Sequence, residues 1–353
     1  MPKIAIIGTT SWGKTLGVVL ANKGLQVRLW ARTEQEATEL STVRPNPSSP
    51  DDITFPPQLS ITSLLSEALA GIEAVILAVP SQSMRQNIRL VAGYLDESVL
   101  IMSAAKGLEV GSNKRMTQVI ADEVSPNFQA NICVLSGPNL SREILHNLPA
   151  ATVVAAEKEA IAKKAQRLLN APNFCAYTNT DVIGVELGGA LKNIIALGAG
   201  MADGLGYGDN AKAAFITRGL TEMTALGVAL GANPLTFSGL AGLGDLIATC
   251  ASPLSRNHYV GVELTKGRSL KEITDSMDGV AEGVNTTIAA WNLAEKLGIE
   301  MPITEKTYQV LFNGVDPYQV MAEIMGANAR HELAGRRWRL FSFSRRRRRP
   351  PTI

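Results

Sequence analysis

The chain is poor in cysteine and in aromatic residues, and it has no long uninterrupted apolar run. Its three cysteines, Cys133, Cys175 and Cys250, are odd in number and widely spaced, with no Cys-x-x-Cys pair. That excludes a disulfide framework and leaves buried free thiols in a reducing compartment as the expectation. No metal site is expected. No apolar stretch reaches the ~20 residues that a membrane helix requires. The opening run Ile4 to Ile7 is too short for a secretion signal. A soluble, cytoplasmic protein without a membrane-spanning segment is expected.

An overall basic bias is also lacking, although the formal net charge is +2. Residues 331–353 hold eight arginines against the single acid Glu332; without them 26 basic face 31 acidic residues, a net of −5. The body is mildly acidic, and no nucleic-acid partner is expected. The basic segment 331–353 reads as a disordered tail, because like charges in a run repel one another.

Glycine, by contrast, is abundant, at 31 residues in a chain that is 46% apolar. That suits an α/β protein with tight turns and close helix packing. Lys3 to Ile7 read as a buried parallel strand, Ser11 to Lys23 as a helix stopped by Gly24, and Gln26 to Trp30 as the next strand. Ser41 to Pro57 read as a surface loop. Further strands are expected at 74–79, 99–103, 132–135 and 151–155, with helices at 64–70 and 84–94. Strands alternating with helices imply a parallel, doubly wound sheet of the Rossmann type. From Val182 to Ala329 the pattern is helical and rich in small residues. Gly188, Gly189, Gly198 and Gly200 would each cost about 1 kcal/mol in an isolated helix, so close helix–helix approach is expected there. The division is a cofactor domain over 1–180, an all-α domain over 181–330 and the tail.

Gly8-Thr-Thr-Ser-Trp-Gly13 falls between a strand and a helix, where a dinucleotide's pyrophosphate meets a helix N-terminus. Gly8 suits the tight turn and Gly13 the packing of helix on strand. The usual middle glycine is Thr10, whose Cβ should lengthen the phosphate contact. Arg32 stands where an acid would hold a ribose 2′-hydroxyl; its guanidinium suits a 2′-phosphate and favours NADP. Ala78 to Ser81, Ser103 to Gly107 and Ser136 to Ser141 end further strands on the same carboxyl edge of the sheet, with Lys106 at one mouth. Lys192 and Asn193 are polar within a tightly packed apolar segment, and burying an ammonium lowers its pKa toward that of a general base. A Gly-rich turn introduces Asp245, with Thr249 one helical turn later. Ser255, Arg256 and Asn257 together offer a phosphate clamp.

These segments together resemble the bacterial-type NAD(P)-dependent glycerol-3-phosphate dehydrogenases, colinearly over about residues 3–328; Val185 to Asn193 and Ser238 to Asp245 are the most specific blocks. The resemblance implies a Rossmann domain followed by an all-helical domain, NADP or NAD as cofactor, a small phosphorylated three-carbon substrate and a homodimer. It implies dinucleotide contacts for Ser11, Trp12, Arg32, Lys106, Ser141, Arg256, Val280 and Glu282. Substrate contacts are implied for Lys106, Gly137, Asn139, Lys192, Asp245, Ser255, Arg256 and Asn257, with Lys192 the catalytic proton acceptor, oriented by Asp245 and Asn193. A reductase of the 2-hydroxyacid or ketopantoate type and a cofactor-binding redox sensor without turnover remain as alternatives.

Overall fold

The computed structural model describes residues 2–42, 54–277 and 279–326. The tail, residues 43–53 of the expected loop and the last three positions of the helical pattern lie outside them. The strands are β1 (Lys3–Ile7), β2 (Gln26–Trp30), β3 (Leu59–Thr62), β4 (Ala74–Leu77), β5 (Leu100–Ser103), β6 (Ile132–Ser136), β7 (Ala150–Ala155) and β8 (Phe174–Asn179). The helices between them are α1 (Ser11–Asn22), α2 (Glu34–Thr42), α3 (Leu65–Ala68), α4 (Met84–Ala92), α5 (Met116–Glu123), α6 (Ser141–Leu145) and α7 (Glu159–Leu169).

The eight strands form one sheet in the order β3-β2-β1-β4-β5-β6-β7-β8. The order reverses between β1 and β4, the switch point at which doubly wound sheets open a crevice. The expected all-parallel sheet needs one correction: β6 and β7 pair antiparallel, Val134 opposite Ala155. A short connection brings the chain back without a crossover helix long enough to restore direction. Helices α2, α5, α6 and α7 and strands β3 and β8 were not expected. The loop expected to begin at Ser41 begins later, because α2 continues to Thr42.

From Val182 onward every long element is a helix: α8 (Val182–Gly204), α9 (Gly208–Ala229), α10 (Pro234–Phe237), α11 (Asp245–Ala251), α12 (Arg256–Thr265), α13 (Leu270–Asp275), α14 (Glu282–Leu297), α15 (Pro302–Asn313) and α16 (Pro317–Gly326). Helix α8 is the axis of this half and is nearly all buried. By length and composition alone it could cross a membrane, its 23 residues including an 18-residue stretch of mean hydropathy 1.5, although Glu186, Lys192 and Asn193 interrupt it as an apolar run. Its apolar surface is covered by protein, in a core with Phe215, Met223, Phe237 and Val260. Its glycines admit the close approaches. A Cβ at Gly200 would lie 2.1 Å from the His258 carbonyl oxygen, and one at Gly188 would lie 2.5 Å from that of Ala241.

Candidate functional site

The crevice lies where the carboxyl ends of β1, β4, β5 and β6 meet α8, α11 and α12. Two lysines converge there on one carboxylate. Lys192, 6% exposed on α8, donates from Nζ to Asp245 Oδ1 at 2.5 Å and to Thr249 Oγ1 at 2.5 Å. Lys106, just beyond β5, donates to Asp245 Oδ2 at 2.7 Å and to the Gly137 carbonyl at 2.7 Å. Asp245 is 1% exposed. It opens α11 directly after a π-helical turn over Leu240–Gly244. Gly242 allows that turn to lie on Phe237, since a Cβ there would sit 2.2 Å from the Phe237 carbonyl oxygen. Thr249 fixes its own hydroxyl by donating to the Asp245 carbonyl at 2.7 Å, so its oxygen is aimed back at Lys192. Burial pushes the Lys106 ammonium down to about 8, with Asp245 pulling it up and the neighbouring Lys192 charge pushing it further down.

Asn193, expected to orient Lys192, does something else. Its amide donates to the Lys106 carbonyl at 3.2 Å and its oxygen accepts from Asn257 at 2.9 Å. Asn257 in turn accepts the Gly283 N–H at 2.9 Å. Both ends of the Asn257 side chain are thereby committed to joining α8, α12 and α14. What Asn257 offers a ligand is its backbone N–H in the first turn of α12, which helix geometry leaves without an intrahelical partner. Ser255 caps α12 by accepting from His258 N–H at 3.2 Å. Exposed Arg256 lays its guanidinium over Gly279, where φ is +95° and a Cβ would lie 2.2 Å from Nη1.

Around β6, Gly137 takes φ +139°, closed to ordinary side chains. Asn139 donates to Thr152 at 2.9 Å, and Thr152 to the Ser136 carbonyl at 3.0 Å. Asn139 Oδ1 and Ser136 Oγ are buried without a partner among the described residues. Thr152 carried no sequence signal, because it lies in a strand of alanines and valines and its partners are distant in the chain.

At the first turn, Gly8 takes φ +113°, and a Cβ would stand 2.6 Å from the Ala78 carbonyl oxygen. One at Gly13 would stand 2.0 Å from the Gly8 carbonyl oxygen. Thr10 does not merely crowd this turn. Its hydroxyl donates to the Ala78 carbonyl at 2.8 Å and accepts the Gly13 N–H at 3.1 Å, capping α1 and tying it to the end of β4. The N–H groups of Ser11 and Trp12 remain at the helix's positive end. The Trp12 ring itself turns to Phe174, at 6.3 Å between centroids. Ser141 starts α6, which packs on α1. Arg32 is exposed past β2, its backbone N–H held by Glu36 at 2.9 Å. Glu282 binds across to the β4 edge, taking the Ser81 N–H at 2.9 Å and the Ser81 hydroxyl; burial raises its carboxyl, while Ser81 and the Arg256 charge lower it. Val280 is 39% exposed beside it.

Glu186, also buried on α8, does not join Lys192 in the crevice. Glu186 lies one and a half turns earlier and is taken by Arg115, by the Thr117 N–H at 2.8 Å and by the Thr117 hydroxyl at 2.6 Å. This buried pin ties α8 to the start of α5 and carried no local signal in the sequence.

The two halves of this crevice match two family models. Residues 3–162 match the N-terminus, and residues 181–322 the C-terminus, of NAD-dependent glycerol-3-phosphate dehydrogenase. The chain belongs to that family. It is 64% identical over 349 residues to the glycerol-3-phosphate dehydrogenase, NAD(P)+, of Dehalococcoides mccartyi, covering 99% of this chain and 97% of that protein. It is 47% identical to the enzyme of the same name from Shouchella clausii, covering 94% of this chain and 98% of that one. The crystal structure of glycerol-3-phosphate dehydrogenase from Coxiella burnetii superposes with a TM-score of 0.86 at 36% identity, over 92% of this chain and 98% of that chain. In this chain the residues matched to the N-terminal model carry the glycine turn, and those matched to the C-terminal model carry the buried Lys192. The turn fits a dinucleotide, because Gly8 and Gly13 let it fold tightly against Ala78 and bring the open N-terminus of α1 to the sheet edge.

Proposed function

We propose that this chain is a glycerol-3-phosphate dehydrogenase that interconverts dihydroxyacetone phosphate and sn-glycerol 3-phosphate, supplying glycerol phosphate for phospholipid synthesis in the cytoplasm. NAD(H) or NADP(H), held by residues 1–180, supplies or accepts the hydride when bound. Residues 181–330 and the strand ends hold the substrate. The observation that carries this reading is the buried Lys192 ammonium, fixed by Asp245 and Thr249 at the mouth of the sheet.

Lys192 hands its proton to the C2 oxygen during reduction and takes it back during oxidation. Asp245 and Thr249 fix where that proton sits. The α12 N-terminus, with the Ser255 hydroxyl, the Arg256 guanidinium and the Asn257 N–H, receives the phosphate. Asn139 Oδ1, an acceptor lacking a donor, takes a substrate hydroxyl. Lys106 bridges the two halves and excludes water between them. Ser11 and Trp12 offer N–H groups to the pyrophosphate, and Arg32, Ser141, Val280 and Glu282 line the remainder of the dinucleotide path. Family likeness further supports a homodimer, which light scattering tests.

Steady-state kinetics with dihydroxyacetone phosphate test the assignment. Lys192→Ala is expected to lose turnover by on the order of 10³-fold while NADH affinity stays within about threefold. Near-normal turnover in Lys192→Ala, or preference of the wild type for a non-phosphorylated keto acid, would overturn it.

A further inference from the structure

The acid absent from the end of β2 is supplied from elsewhere. Glu36, half-buried on the first turn of α2, accepts the Thr9 hydroxyl on Oε1 and the Arg32 N–H on Oε2 at 2.9 Å. Thr9 belongs to the Gly8–Gly13 turn, and Arg32 follows β2. The carboxylate therefore lies between the turn that faces the pyrophosphate and the strand end that faces the adenosine ribose. In a doubly wound domain, an acid about 20 residues beyond the glycine turn takes the ribose 2′-hydroxyl. Glu36 stands at that distance along the chain and at that place in the fold, although it comes from a helix and not from the strand.

We propose that Glu36 reads the 2′ position of the cofactor's adenosine ribose and biases this chain toward a free 2′-hydroxyl over a 2′-phosphate. The inference rests on the dinucleotide-binding reading above. A carboxylate has roughly four acceptor sites; Thr9 and Arg32 use two, which leaves capacity for a ribose hydroxyl. A 2′-phosphate would bring a second anion against the first, and like charges at contact distance repel. The exposed Arg32 guanidinium offsets that repulsion only in part, because solvent and salt screen it, whereas Glu36 is half-buried and tethered at both oxygens. The expectation from Arg32 alone, a preference for NADP, is thus reversed by a residue four positions further on.

Calorimetric titration of the purified protein with NADH and with NADPH, without substrate, tests this. The wild type is expected to bind NADH more tightly. Glu36→Gln keeps the shape and one acceptor oxygen but removes the charge; it is expected to tighten NADPH binding about tenfold relative to NADH. Glu36→Lys is expected to move the ratio further in the same direction, so the proposal does not depend on one variant. Retained NADH binding with an unchanged NADPH affinity in both variants would overturn the inference alone. Failure of the wild type to bind either nucleotide would overturn the dinucleotide reading and this inference with it.

Discussion

Two of the buried carboxylates in the helical half, Asp245 and Glu222, are satisfied in opposite ways. Asp245, 1% exposed, sits between two ammonium groups, one from each domain. Glu222, 6% exposed on α9, has no salt bridge among the described residues; it accepts the Ile303 N–H at 2.6 Å and the Thr304 N–H at 3.2 Å at the start of α15. Helix dipole and N–H donors favour the Glu222 anion, and the more distant Arg218 charge assists. Burial nevertheless wins, and the carboxyl is pushed up to about 7. Backbone dipoles alone do not hold a charge in this interior. Where the protein keeps polar chemistry, it brings full counter-charges, and it takes them from both sides of a cleft.

Removing the charge of Asp245 breaks the comparison most severely. Asp245→Asn leaves Lys106 and Lys192 buried against each other without an anion, and loss of one partner from such a group typically costs about 3–5 kcal/mol. Denaturant unfolding is expected to show that loss, together with a fall in turnover comparable to that of Lys192→Ala. Unchanged stability in Asp245→Asn would mean that the two ammonium groups reach water, contrary to the burial of Lys192.

Lys106 sharpens the contrast through pH. Its value in the folded protein, about 8, lies below the ordinary 10.5. Between those two values the unfolded chain binds more protons than the folded one, so stability rises with pH across that window. Below about 8 the folded state carries the whole cost of burying the charge. Lys106→Met removes the group, and the difference in unfolding free energy between wild type and variant is expected to change from pH 7.5 to 10. A pH-independent difference would show that Asp245 compensates for the burial in full.

How far these features could be read from sequence follows the range of the interaction. Strands β1 and β2 were legible to the residue, because β1 is an isoleucine-rich run ending at Gly8 and β2 follows the helix stop at Gly24 at the spacing of a βαβ unit. Helix α2 was not: it is polar throughout, only Ala37 is buried, and it offers no periodic apolar face. Missing it hid Glu36. The edge strand β3 has only four residues, and β8 buries only Phe174 and Ala176 of its six, so neither stands out from a loop. In the site, Lys192, Asp245 and Thr249 were visible as polar residues within apolar, glycine-rich blocks. The Lys106–Asp245 bridge and the Glu186–Arg115 pin were not, since pairs 139 and 71 positions apart leave no trace in local spacing. Thr10 was visible as a departure from the usual glycine, but the cap that its hydroxyl places on α1 was not.

The smallest expected effect belongs to Glu222→Gln. The folded-state value of about 7 lies above the ordinary 4.5, so the native protein holds a proton that the unfolded chain has released between those values. The stabilising contribution of the protonated form is complete below about 4.5 and is lost as pH rises through 7. Glutamine keeps one carbonyl acceptor for the α15 N–H groups and cannot ionise. The wild-type melting temperature is therefore expected to fall from pH 4 to pH 8 relative to that of Glu222→Gln, with the two nearly equal at the acid end. Turnover is expected to stay within about twofold, because Glu222 belongs to the α9–α15 contact and not to the crevice. Parallel melting curves at both pH values would show that the Ile303 and Thr304 donors hold the anion without cost, and the distinction between the two buried carboxylates would then rest on Asp245 alone.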